Sequence, residues 1–166
     1  MLFNVTLVGD SDLVARLSSM PTQVAAALRS KIEVLTIQLQ AHIVRDKLHG
    51  QVLHQRSGQL ARSIQRRVDA TVLAVYGFVF SAGDVKYAGI HEFGGKTPAH
   101  DIYPKKAQAL AFAMGGKTVF AKVVHHPGSQ MPERSFMRSS LADMKGDITE
   151  QLKETAFAAA QGSIIP

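Results

Sequence analysis

The side chains best suited to chemistry in this sequence are histidines. His91, His100, Asp101 and His126 carry groups that bind divalent metals, but nothing in their spacing requires them to meet. No histidine lies four residues after His91, which excludes the zinc-protease pattern. On a strand, His125 and His126 would point to opposite faces and would not easily share one ion. A small metal-dependent hydrolase is therefore only weakly supported. Exposed or hydrogen-bonded histidines are the simpler interpretation.

Other catalytic patterns are missing. Cysteine is absent, which excludes disulfides, thiolate zinc sites and cysteine nucleophiles. Segments 94–97 and 115–118 both read Gly-Gly-Lys-Thr, but Ile90 and Ala111 stand where a phosphate-binding loop needs its first glycine. The 13 Asp and Glu residues are not clustered as a two-carboxylate or two-metal enzyme requires. We therefore expect no catalytic residues, no cofactor and no metal.

The composition is that of a globular protein. The chain has 166 residues, which fits a single domain spanning 1–166. A hydrophobic fraction of 46% and a charged fraction of 19% argue against disorder. No apolar run approaches the length of a membrane helix, and the N-terminus has no basic start followed by a long apolar stretch. We expect neither a secretory signal nor a membrane partner.

The net charge of +6 is unevenly distributed along the chain. Residues 45–67 carry six basic side chains and one acid, and residues 95–138 carry seven basic side chains and two acids. Residues 68–94 and 139–166 are each mildly acidic. Basic stretches of this kind suit a surface that faces nucleic acid, or one that meets an acidic patch on another copy. A solvated surface that keeps the protein soluble is the third interpretation.

Residues 22–48 show the strongest helical pattern. The segment contains neither Gly nor Pro, and its apolar side chains recur at intervals of three and four. The residues on this stripe are Leu28, Ile32, Leu35, Leu39 and Ile43. Gly50 stands where a helix is expected to end. We predict a helix of about 25 residues as the spine of the fold. Before it, alternation at residues 3–7 predicts a strand, and residues 11–17 a short helix.

Strand patterns occupy the middle of the chain, and a helix closes it. Residues 65–70 and 72–80 predict a pair of strands, and residues 107–112 and 117–124 predict two more around a Gly-Gly turn. The stripe of the last helix comprises Phe136 or Met137, Ser140, Leu141, Met144, Ile148, Leu152 and Phe157. The tail from 161 to 166 is expected to fray. The fold class is α+β: a small, largely antiparallel sheet packed against a long helix in the N-terminal half and a C-terminal helix.

Three ordered segments carry a family resemblance. Residues 87–95, YAGIHEFGG, resemble the "YA…EFG" signature of phage tail-completion and virion-morphogenesis proteins, the small neck and minor tail proteins of tailed phages. Residues 56–64, RSGQLARSI, resemble the "TG-x-L-x-x-SI" element of that group. Residues 126–128, HPG, and 132–137, PERSFM, resemble its "HPG…P-x-R-P-F" element, with Ser135 in place of the usual proline. The resemblance spans roughly residues 20 to 145.

The resemblance implies a structural protein of the virion, not an enzyme. Such proteins sit at the tail end or neck and help join the completed tail to the filled head. The implied partners are further copies in a ring, for which a hexamer is one candidate, and neighbouring tail or neck proteins. A ring requires contacts between two different faces of each subunit. The implied location is the tail or neck of the virion, and the host cytoplasm during assembly. DNA would pass as a non-specific contact.

The same segments contain the candidate interface. It comprises Tyr87, Ile90, His91, Glu92, Phe93, Gly94, Gly95, Pro132, Arg134 and Phe136. In this interpretation the aromatic side chains anchor a partner, Glu92 and Arg134 are charge partners, and residues 94–101 form a long adaptable loop. The alternative is a buried turn that packs the sheet on the long helix. Both interpretations stay open for the 87–95 segment and for Phe136.

The remaining alternative is a basic module that binds DNA without sequence specificity. Its candidate residues are Arg56, Arg62, Arg66 and Arg67, which could face phosphates. The sequence contains no recognisable groove-reading helix and no known pattern of stacking aromatic residues.

Overall fold

The computed structural model describes residues 22–54, 56–71, 74–83 and 85–161. The strand expected at residues 3–7, the short helix expected at 11–17 and all but the first residue of the expected frayed tail lie outside the described residues.

The predicted spine is confirmed. Helix α1 spans Thr22–His42 and continues as a π-helical turn over Ile43–Lys47. Four of the five residues on the predicted stripe are buried, and Ile32 is half-buried. The stripe spacing fixes which face of α1 turns inward, because residues three and four apart lie above one another. Gly50, just after the helical segment, has a φ of 127°, which a residue with a Cβ rarely adopts.

A β-hairpin packs on α1. After the short helix α2, Gln59–Ser63, strand β1 runs over Ile64–Ala70 and pairs antiparallel with β2, Val75–Ser81. At the contact, a Cβ on Gly77 would lie 2.6 Å from Thr36 Cγ2 and 2.9 Å from Ile32 Cγ2. The absence of a side chain at Gly77 therefore allows the hairpin to approach the helix closely.

The last helix, α4, spans Met137–Ala160 and packs against α1. Phe136 and Met137 enter the main core, and Ile148 is buried further along. One prediction for this helix is wrong: Phe157 is 67% exposed, while Thr155 and Ala156 are buried. Phe157 follows Leu152 by five residues, which turns it off a stripe that repeats every three or four.

Among the described residues between β2 and α4 lie a short helix and six short strands. Helix α3 spans Tyr87–Phe93. The strands are β3 Gly95–Lys96, β4 His100–Ile102, β5 Leu110–Met114, β6 Lys117–Ala121, β7 Val124–His126 and β8 Gln130–Met131. They pair antiparallel as β3 with β8, β4 with β7 and β5 with β6.

These pairings correct one expectation about a loop. Residues 94–101 do not form a long adaptable loop, because β3 and the start of β4 hold both ends in strand pairs. Between them, the Thr97 N–H donates to the Ser129 carbonyl at 2.9 Å, and the Ser129 N–H donates to Thr97 Oγ1 at 2.7 Å. Backbone and side-chain hydrogen bonds therefore join this segment to residues 124–131.

The predicted α+β class is confirmed, with 45% of the described residues helical and 27% in strands. Within the part of the chain that the structure describes, the strands form four separate two-stranded antiparallel sheets. Within the described ranges, neither long helix combines the length and apolar character that crossing a bilayer needs.

A buried carboxylate clasp between the two motif segments

Two of the three motif segments, residues 87–95 and 132–137, meet at one carboxylate. Glu92, near the end of α3, is 0% exposed and lies at the start of α4. Its Oε2 accepts the N–H groups of Phe136 at 2.8 Å and Met137 at 2.9 Å. Its Oε1 accepts the Arg138 N–H at 3.0 Å and the Ser135 hydroxyl at 2.7 Å. The carboxylate therefore caps the first turn of α4, where backbone N–H groups have no partner within the helix.

Arg138 closes this clasp from the outside. Its Nε donates to Glu92 Oε1 at 3.0 Å, and its Nη2 donates to the Glu92 carbonyl and to Glu133 Oε1, both at 2.8 Å. The guanidinium also lies 4.6 Å from the centre of the Phe93 ring, as a cation–π pair. Arg138 thus links the end of α3, the chain before α4 and the helix itself.

The clasp keeps Glu92 ionised. Burial raises the pKa of the Glu92 carboxyl, because a charge loses its hydration. The hydrogen bonds from Met137, Arg138, Ser135 and Phe136 outweigh that effect and hold the pKa below its ordinary value. The bonds to Glu92 in turn raise the pKa of Arg138. Both oxygens of this carboxylate accept all of their hydrogen bonds from donors within the protein.

His91 lies beside the clasp and packs against Tyr87. Its carbonyl accepts the Arg134 N–H at 2.8 Å, and its ring meets Tyr87 edge to face at 5.9 Å between centroids. Burial, and then the charge of Arg134, lower the pKa of His91. Among the residues that the structure describes, no hydrogen-bond partner faces the buried His91 Nδ1. The ring is therefore a packing element of α3.

Two glycines let the chain leave α3. Gly94 has a φ of 67°, and a Cβ on it would lie 2.8 Å from the Glu133 backbone nitrogen. Gly95, with a φ of 135°, pairs with Met131. Both φ values lie in the left-handed region, which favours glycine. They allow residues 94–95 to lie against residues 131–133, next to the clasp.

The structure separates the predicted interface residues into two groups. Glu92 and Phe136 are 0% exposed, so the prediction that their side chains contact a partner is wrong. For these two the buried interpretation holds, because one caps α4 and the other fills the main core. The charge partner of Glu92 is also corrected: it is Arg138, not Arg134.

The other predicted residues surround the buried pair. Those with exposed side chains are Tyr87, Phe93, Pro132 and Arg134. Those that are half-buried are Ile90, His91, Gly94 and Gly95. The site therefore has exposed aromatic side chains on a helix, α3, that the buried Glu92 holds in place. Arg138 and Ser135 were missed as site residues. Their signal was local, since both lie within or just beyond the PERSF segment, at the start of a predicted helix.

The four arginines proposed to face DNA are all exposed. Arg66 and Arg67 are neighbours on β1, so their side chains point to opposite faces of the hairpin. Arg67 pairs with Asp69 at 2.9 Å and lies 5.2 Å from the centre of the Phe78 ring. On the same outer face Tyr76 stacks on Phe78 at 6.3 Å. The arginines therefore do not form one continuous row.

Apart from His91, the residues considered for a metal site lie on strands β4 and β7 and face one another in pairs. Strand pairing places His100 opposite His126, and their rings stack at 5.1 Å. His125 Nδ1 lies 2.8 Å from Asp101 Oδ1. The prediction that His125 and His126 point to opposite faces is thereby confirmed. Across the described ranges, no three His, Asp or Glu side chains are grouped so as to hold a metal ion.

Comparisons of the chain with protein-family models, with curated proteins and with solved structures found no match.

Proposed function

We propose that this protein is a structural component of a tailed-phage virion that completes the tail at its end or neck and helps join it to the head. The observation that carries the proposal is the clasp, in which Glu92 binds the first turn of α4. It joins the "YA…EFG" segment to the "P-x-R-P-F" segment, two of the three parts of the chain that resemble such proteins. These two segments thus form one physical unit.

The chemistry of the clasp supports a role in docking. A buried carboxylate is a common catalytic group, but Glu92 is 0% exposed and receives hydrogen bonds from backbone, hydroxyl and guanidinium donors. It therefore has no access to a substrate. Around it, Tyr87 and Phe93 are 38% and 43% exposed on a rigid base. Exposed aromatic side chains that are fixed before binding lose little entropy when a partner covers them.

A deletion experiment tests this function. Removal of the gene from the phage genome that encodes the protein should leave filled heads and separate tails in electron micrographs, with few infectious particles. The wild-type gene supplied in trans should restore joined particles. The Tyr87→Ala/Phe93→Ala variant should fold but restore few of them. Infectious, properly tailed particles without the protein would overturn the proposal.

A second candidate function is non-specific DNA binding. The observation that favours it is the outer face of the β1–β2 hairpin, where Arg67, Phe78 and Tyr76 lie side by side. Aromatic rings next to a guanidinium form a surface on which unpaired bases stack. The ion pair of Arg67 with Asp69 weakens its charge for a phosphate.

A further inference from the structure

The β5–β6 hairpin stands apart from the core. Its turn residues, Gly115 and Gly116, have φ values of 59° and 77°, the backbone of a tight two-residue turn that matches strand twist. The register pairs Phe112 with Val119 and Ala111 with Phe120. Within the described part of the chain, other elements make only marginal contact with these strands.

Both faces of this hairpin carry exposed apolar side chains. Opposed residues share a face, so Phe112, Met114 and Val119 lie on one side, and Phe120 lies on the other with Ala111. Phe120 is 70% exposed and Met114 is 65% exposed. A lone two-stranded hairpin is only marginally stable in water. We therefore expect this hairpin to be covered when the protein is in its working state.

The charged residues of the hairpin and of the segments that flank it in the sequence are all lysines. Lys117 lies at its tip, Lys122 directly follows β6, and Lys105 and Lys106 precede β5. All four side chains are exposed. No acidic residue occurs between residues 102 and 132. An apolar surface with a positively charged rim fits a partner that is apolar at its centre and acidic around it.

The outward side of α4 has that complementary character. Asp147, Glu150, Glu154 and Phe157 follow one another at intervals of three and four, so they lie on one stripe. All four are exposed, and this stripe lies away from the buried Ile148 and Ala156. Among the described residues, Asp147, Glu150 and Glu154 form no ion pair. The carboxylates are therefore available to lysines of another molecule.

We propose that the β5–β6 hairpin of one copy docks on the acidic stripe of α4 in a second copy. The lysine rim then meets Glu150 and Glu154, and Phe120, on one face of the hairpin, meets Phe157. Because the two faces differ, the contact is head to tail and propagates into a ring or a filament. The biological meaning of this contact rests on the proposed function, but its chemistry does not.

Charge reversal on each face tests the contact. Variant one is Lys117→Glu/Lys122→Glu, and variant two is Glu150→Lys/Glu154→Lys. Sedimentation velocity at low salt should show self-association of the wild-type protein, weakened at least about tenfold in each variant because like charges now face each other. An equimolar mixture of the two variants should associate again, because each reversed face meets its complement. High salt should weaken both the wild-type and the mixed assemblies.

Matched controls keep this test specific. The Arg45→Glu/Lys86→Glu variant makes the same change of charge outside the hairpin and should associate like the wild type. Phe120→Ser should weaken association without any change of charge. Circular dichroism checks that each variant is folded, and all of the changed side chains are exposed.

Three results would overturn the inference: a wild-type protein that stays monomeric at its highest soluble concentration, variants that do not complement each other, or unchanged association of Phe120→Ser. Loss of DNA retention in variant one, without loss of association, would assign the hairpin to nucleic acid instead. A different result would overturn the proposed function, namely normal virions from the deletion phage. That result would leave the sedimentation result unaffected.

Discussion

Glu92 accepts the backbone N–H of Met137 at 2.9 Å, although 45 residues separate the two in the chain. The bond is long-range in sequence, buried, and made by an ionised group to the first residue of a long helix. This bond fixes the orientation of α3 relative to the start of α4. Because Tyr87 and Phe93 lie on α3, it also fixes where their exposed side chains lie.

Replacement of Glu92 by Gln should destabilise the protein strongly. The amide keeps the shape of the side chain, but its NH₂ group would face N–H and guanidinium donors, and Arg138 would lose its buried partner. We expect a loss of about 3 kcal/mol in the free energy of unfolding, measured by urea denaturation. Glu133→Gln is the matched control, because its ion pair with Arg138 is exposed and should contribute under about 1 kcal/mol. Equal losses in the two variants would contradict this account.

The same carboxylate predicts a pH dependence. The pKa of Glu92 is lower in the folded protein than in the unfolded chain, so the unfolded state binds its proton first as the pH falls. The stabilisation is therefore complete above the ordinary glutamate pKa of about 4.3, and it is lost as the pH falls through the lower folded value. Urea midpoints of the wild type and Glu92→Gln should differ at pH 7 and converge in acid. A constant difference across that range would contradict the assignment.

The periodic elements of this fold were predictable from the sequence. The stripe of α1 and the strands β1 and β2 depend on repeats of three to four and of two residues, and such repeats are visible without coordinates. Phe157 shows the limit of that approach. An apolar residue five positions along was assigned to the stripe, and the geometry of the helix turns it to the solvent.

The clasp was not predictable in the same way. The sequence placed Glu92 and Phe136 in motif segments, but a motif does not distinguish a buried cap from an exposed contact. The partner of Glu92 was expected to be Arg134 and is Arg138, because the first turn of α4 carries the N–H donors and brings Arg138 with them. The exposure of the β5–β6 hairpin also had no local signal, since its apolar residues resemble those of a core strand.

Two phenylalanines separate stability from assembly. Phe136→Ala removes a side chain that is 0% exposed, and we expect it to cost about 3–5 kcal/mol of the free energy of unfolding. Phe93→Ala removes a ring that is 43% exposed beneath Arg138, and we expect a loss of about 1 kcal/mol. Thermal unfolding and particle assembly should both be measured. Phe93→Ala should melt near the wild type and impair assembly; a stable variant that assembles normally would remove Phe93 from the interface.

Two glycines should respond oppositely to alanine. Gly77→Ala places a Cβ 2.6 Å from Thr36 Cγ2, and β-branched side chains yield little, so we expect a loss of about 1–3 kcal/mol. Thr36→Ser in the same chain removes that methyl group and should restore part of the loss.

Gly146→Ala in α4 meets nothing within 4 Å and should add up to about 1 kcal/mol, because alanine is the better helix former. Urea denaturation measures all three, and a neutral Gly77→Ala would contradict the close packing of hairpin and helix.

The outer face of the β1–β2 hairpin gives the last prediction, which separates the two candidate functions. If that face binds single-stranded DNA, Tyr76→Ala should weaken binding through lost stacking, worth about 1–3 kcal/mol per base. Arg62→Ala/Arg66→Ala should instead reduce the slope of log affinity against log salt, because fewer counterions are released. Fluorescence anisotropy with a labelled oligonucleotide at several salt concentrations measures both effects. Arg45→Ala is the control for loss of charge alone.

We expect weak binding that none of these variants changes by more than about twofold, since Arg67 is already paired with Asp69 and Arg66 points to the other face. A tenfold loss in Tyr76→Ala at constant salt would favour DNA binding over assembly as the role of this surface.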